Sequence, residues 1–101
     1  MGYYTVFTLQ TQPALDYVNE VQDALAKFAG GCEEYVNSGE GAKWYDHQDH
    51  MLELSRQMPD VLFILDGEGE GVGDQWRKFF RNGQAEVHRA EWTAPEKPTR
   101  V

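Results

Sequence analysis

Between Pro59 and the glycines that begin at Gly67, five consecutive residues, Val61 to Leu65 (VLFIL), are all apolar. A run this short with no polar side is a strand covered on both faces, so the chain must build a sheet around it. A second sheet signal follows. Asp74 to Phe80 and Gln84 to Trp92 flank Asn82-Gly83, and an Asn-Gly pair between two such runs is a two-residue hairpin turn. A third strand lies near the start, where Tyr3 to Leu9 (YYTVFTL) alternates and is rich in aromatic and β-branched residues.

Helical spacing appears twice. Ala14, Val18, Val21, Leu25 and Phe28 recur at gaps of four and three, after turn signals at Thr11 and Pro13, and Gly30-Gly31 supply a left-handed stop. His47, Met51, Leu54 and Met58 share one face of a second helix, with Leu52 beside it. Asp46 is the expected N-cap, Asp49 adds negative charge to the first turn, and Pro59 ends the helix. Between the helices, Cys32 to Ala42 reads as a turn, with short extended pieces around Tyr35 and Trp44.

Strand, helix, short extended segment, helix, strand and hairpin suit an antiparallel α+β sheet with two helices on one face, in the ferredoxin-like layout. At 101 residues this is one small core. We expect a single α+β domain over residues 1–93 and a loose tail over residues 94–101, which contain Pro95 and Pro98. The strands are apolar or aromatic on both sides, so the face without helices needs a cover, and a homodimer is expected.

With 41% hydrophobic and 26% charged residues the chain has the composition of a folded soluble protein. No apolar run reaches the ~18 residues of a membrane span, and Met1 to Gln10 does not resemble a signal peptide, which makes the cytoplasm the expected compartment. The lone Cys32 cannot close an internal disulfide.

The net charge of −8 argues against a general nucleic-acid coat, which neutralises phosphates with surplus Lys and Arg. The charge is unevenly placed. Residues 1–76 hold fourteen acids and three bases, and residues 77–101 hold six bases and three acids, balances of −11 and +3. Two readings stand: a basic hairpin lies against its own acidic neighbours, or the surface is dipolar and docks on a basic partner through its acidic side. For docking, Glu20, Asp23, Glu33, Glu34 and Glu40 supply charge, and Trp44 and Tyr45 supply aromatic contact.

Four features bear on chemistry. The stretch Asp66-Gly67-Glu68-Gly69-Glu70-Gly71-Val72-Gly73 lacks the Lys and Ser or Thr of a phosphate cradle. As a calcium loop it places Asp66, Glu68 and Glu70 at positions one, three and five, but Arg77 at twelve, where a bidentate Glu is required. A solvated strand connection is the plainer reading. His47 and His50, with Asp46, Asp49 and Glu53 nearby, permit a metal but supply too few ligands for zinc, and a helix-start histidine is the alternative. Cys32 has no flanking nucleophile motif.

The fourth feature is aromatic. Trp44, Tyr45, Trp76, Phe79, Phe80 and Trp92 share half the chain with Arg77, Lys78, Arg81 and Arg89. Such a set serves core and dimer packing, a protein-partner hot spot, or the stacking of a nucleotide base.

The run from Lys43 to Gly83 resembles a family of small phage and mobile-element proteins. Its pattern falls here on Trp44, Tyr45, His47, Met51, Leu54, Ser55, Pro59, Leu62, Phe63, Gly67, Glu68, Gly69, Glu70, Gly73, Asp74 and Trp76. The run is also similar to the ferredoxin-like domain of YubB-type plasmid proteins. His50 and Gly71 depart from the pattern, which has acidic residues there.

The resemblance implies no reaction. It implies a bacterial host cell and a stoichiometric mode of action, as of a non-enzymatic inhibitor that binds and blocks a host defence protein in the manner of an anti-CRISPR protein, with no cofactor. The alternative is a nucleotide or small-ligand sponge using Trp76, Arg77, Lys78 and Arg81. The third reading is a metal-dependent hydrolase using Asp46, His47 and His50.

Overall fold

A computed structural model describes residues 2–89. The expected tail over residues 94–101, and Trp92 with it, lies outside the described residues. Strand β1 (Thr5–Gln12) leads into a π-helical turn (Tyr17–Val21) continuous with α1 (Gln22–Ala29). A 3-10 turn (Cys32–Glu34), β2 (Gly41–Ala42), α2 (His47–Gln57), β3 (Leu62–Gly69), β4 (Gln75–Arg81) and β5 (Gln84–Arg89) follow. The five strands form one sheet in the order β2-β1-β3-β4-β5.

Period-two alternation decides which residues meet the helices. Phe7 and Leu9 of β1, Phe63 and Leu65 of β3, and Phe80 of β4 share the inner face and pack with Val21, Leu25 and Ala29 of the first helix and Met51 and Leu54 of the second. Burying each large side chain contributes about 1.5–3 kcal/mol. The architecture is therefore an antiparallel α+β sheet with its helices on one face, as expected. The order is not the βαββαβ of the ferredoxin-like expectation: no helix follows β3, so β3, β4 and β5 form a consecutive antiparallel meander, and β2 is a two-residue edge strand beside β1.

Three local expectations are corrected. Helix one does not begin at Pro13, and Val18 is 64% exposed instead of facing the core. Asp16 caps the helix by accepting from Val18 N at 3.1 Å, and Gln22 N donates to Tyr17 O, five residues back. This wide turn shifts the helical phase, so Tyr17 and Val21, not Val18, point inward. The glycine stretch is not wholly a loop: residues 66–69 belong to β3, paired with β1 and β4. Finally, Asp46 occupies the N-cap of α2 but makes no side-chain capping bond.

The expected turns hold where backbone conformation demands special residues. Asn82 and Gly83 have φ of 46° and 77°, as the tight β4–β5 hairpin requires, and Gly30 ends α1 at φ 64°. In VLFIL, Phe63, Ile64 and Leu65 are all buried. Ile64 stands apart from the helix-side core, on the open face beside Phe79. That open face is mixed, not apolar throughout, because Thr8, Gln10, Asp66 and Arg77 share it.

Candidate functional site

The inner face of β4 meets the first turn of α2 in a cluster of rings around one buried ammonium. Lys78 is 7% exposed; its Nζ lies 2.8 Å from His47 Nε2 and 2.9 Å from Gln48 Oε1, and sits 4.7 Å from the centre of the Trp76 ring. The His47 ring stacks on Trp76 at 4.9 Å with the planes 13° apart. Since an ammonium can only donate, His47 Nε2 is the accepting nitrogen, and Nδ1 carries the proton and donates to Trp44 O at 2.9 Å. Trp44 in turn donates from Nε1 to His50 Nδ1 at 2.8 Å.

Electrostatics follow from this burial. His47 is held below its ordinary pKa chiefly by desolvation, and Lys78 lies below its own for the same reason, with the positive charge of Arg89 adding to the effect. Among the described residues Lys78 forms no ion pair.

Two glycines make room for the rings. Gly67 and Gly69 face inward on β3, where a Cβ on Gly67 would overlap the Trp76 indole and one on Gly69 would overlap Tyr3 and Asp74. Glu68 takes the outward position between them. The Tyr3 hydroxyl donates to Asp74 Oδ2 and accepts from Gly71 N at 2.8 Å, and the hydroxyl of Tyr45 accepts from Tyr3 N at 2.9 Å. Beside this cluster opens a cleft of about 280 Å³, walled by Trp44, Tyr45, His47, Asp74, Trp76 and Arg89.

No family model, curated protein or solved structure matches the chain.

Of the residues nominated for docking, Glu20, Asp23, Glu34 and Glu40 are exposed, and Glu20 Oε2 also accepts from Asp16 N at 2.7 Å. Tyr45 is exposed at 64%. Two nominations are corrected. Glu33 is 7% exposed because its carboxylate turns inward to accept from Gly31 N at 2.9 Å, and Trp44 is 3% exposed because its indole packs edge-on against Phe7.

The ligand set of Trp76, Arg77, Lys78 and Arg81 is not one site. Strand alternation sends Trp76 and Lys78 to the helix side and Arg77 and Arg81 to the open face. On that face a groove of about 490 Å³ includes Thr8, Asp66, Gln75, Arg77 and His88. Its central charges satisfy each other, with Arg77 Nε and Nη2 at 2.6 and 2.9 Å from the two carboxylate oxygens of Asp66.

The same pair engages the first carboxylate of the supposed calcium loop. Among the described residues no three His, Cys, Asp or Glu side chains gather as a metal site. Metal binding by His47 would also set a cation against the Lys78 ammonium. The Cys32 thiol is half-buried and its pKa is raised, first by desolvation and then by Glu33, which disfavours the nucleophilic thiolate.

Sequence reasoning did not place Arg89 at the cleft. The signal was available: the Asn82-Gly83 turn fixes the β4–β5 register and sets Arg89 opposite Trp76.

Proposed function

We propose that the protein is a non-enzymatic interaction module of the phage-inhibitor kind. It acts in the bacterial cytoplasm by binding and blocking a host defence protein, of which CRISPR effectors are one class, through its acidic surface. The observation that carries this reading is the pairing of charges. Among the described residues one salt bridge, Arg77 with Asp66, joins the acidic residues 1–76 to the basic segment that follows. Glu20, Asp23, Glu34 and Glu40 are exposed and form none among the described residues, so their field reaches solvent and can steer a basic groove into contact.

The groups with catalytic potential support the same reading through their internal roles. His47 and His50 accept from Lys78 and Trp44, and Lys78 is buried in that network. Self-association belongs to the proposal: on the helix-free face Phe79 is half-buried beside Ile64, which is already buried, and a second copy would cover what Phe79 leaves exposed. Native mass spectrometry of protein purified from expressing cells tests the class of function. A dimer without metal or nucleotide is expected; a stoichiometric retained metal would favour the hydrolase reading.

A further inference from the structure

The cleft beside Trp76 has features that the acidic docking surface does not use. Arg89 and Trp76 are directly opposed across the β4–β5 hairpin and both line it, while Lys78 stands two residues along β4 on the same inner face. Two cations thus flank one indole. The polar contacts of Lys78 are neutral, to His47 and Gln48, and the charge of Arg89 is close enough to make the Lys78 ammonium harder to hold. Asp74, the carboxylate in the lining, accepts from the Tyr3 hydroxyl. Arg89 in the lining and Lys78 behind it are two cations against the one Asp74 carboxylate, a net positive corner in a chain of net charge −8, and its complement is an anion.

The walls define the rest of that ligand. Trp76 is half-buried, with His47 stacked on its ring, and presents the rest of its indole; the buried Trp44 backs the wall, and the exposed Tyr45 ring is held at the rim by the bond its hydroxyl accepts from Tyr3 N. Rings placed in advance in this way bind a flat partner at low entropic cost. At about 280 Å³ the cleft admits one small ring and one anionic group, not an oligonucleotide. We propose that this cleft binds a small aromatic anion, its ring against Trp76 and Tyr45 and its charged group at Arg89.

A nucleoside monophosphate and an aromatic carboxylate share this chemistry, and the titration separates them. Uridine monophosphate, uridine, inorganic phosphate and benzoate are each added to the full chain, followed by tryptophan fluorescence and by backbone amide shifts. At least one of the two aromatic anions should bind at least tenfold more tightly than uridine or phosphate, weaken as salt rises, and shift the amides of Tyr45, Trp76 and Arg89. Uridine monophosphate identifies a nucleotide site, and benzoate a carboxylate site.

Arg89→Gln, at an exposed strand end, should lower that affinity at least tenfold, and Tyr45→Ala should lower it as well. Arg81→Gln, on the opposite face, should leave it unchanged. Absence of binding by both aromatic anions, equal binding of inorganic phosphate, or full affinity in folded Arg89→Gln would each overturn the proposal. The acid reversals that test the docking surface leave this cleft intact, so the two readings fail separately.

Discussion

Lys78 donates from Nζ to His47 Nε2 across 2.8 Å, which ties the middle of β4 to the first turn of α2 and requires His47 to stay neutral. Protonating that imidazole would remove the acceptor and set two cations in contact.

The consequence is a pH dependence with a defined sign. His47 has a folded pKa below the 6.5 of the free side chain, foremost through burial, so between those two values the unfolded chain binds the proton and the fold does not. Stability is therefore lost as pH falls from about 6.5 toward the folded pKa. Denaturant unfolding between pH 7.5 and 5.5 should show wild-type stability falling relative to His47→Gln, whose amide can still accept from Lys78. Parallel profiles for the two proteins would contradict this.

Gly67 leaves the space that the Trp76 indole fills. Gly67→Ala should cost about 1–3 kcal/mol, the usual range for forcing extra volume into a packed site, and should alter tryptophan fluorescence. Glu68→Gln points outward and should stay within about 0.5 kcal/mol of wild type. Thermal melts with and without calcium should coincide for both wild type and Glu68→Gln, because Asp66 is held by Arg77.

Asn37 stands in for a missing strand neighbour along β1. Its Oδ1 accepts from Leu9 N at 2.7 Å, its Nδ2 donates to Leu9 O at 3.3 Å, and its backbone N donates to Phe7 O at 3.0 Å, all from a residue at φ 64°. Asn37→Ala should lose about 2–3 kcal/mol, from two side-chain bonds and a left-handed backbone that Ala resists. Asn37→Gly should lose less, since glycine adopts that conformation freely. Equal losses in chemical denaturation would remove the backbone part of this explanation.

If two copies cover Phe79, light scattering at micromolar concentration should give twice the 11.6 kDa chain mass. Phe79→Glu should then run as a folded monomer. A monodisperse wild-type monomer would end the dimer proposal.

The parts legible in the sequence were those with a local cause. VLFIL and the Asn82-Gly83 pair gave β3 and the last hairpin, and Leu25, Met51 and Leu54 fell on the faces their spacing required. Val18 was misplaced because a π-turn inserts a residue that a 3.6-residue period does not anticipate. The two-residue β2 leaves no periodicity to read, and residues 66–69 looked like a loop because alternating Gly and Glu hide a strand whose inner positions are kept empty for neighbouring rings. For the candidate site, the pairing of Trp44 with His50 and of His47 with Lys78 depends on how α2 lies on β4, which no local spacing reveals. The placement of Arg89 was within reach, because the turn alone sets its register.

The measurement that bears most directly on the acidic docking surface is phage plating efficiency on CRISPR-defended hosts expressing this protein. Wild type should raise plating on at least one host of a panel. Reversal of Glu20, Asp23, Glu34 and Glu40 to Lys should abolish that gain in a protein that still folds, whereas Arg77→Glu with Arg81→Glu should leave it nearly intact. Glu33 is kept because its carboxylate is internal. Failure to raise plating on any host would contradict the account, and so would protection that survives the acid reversal and disappears with the two arginine reversals.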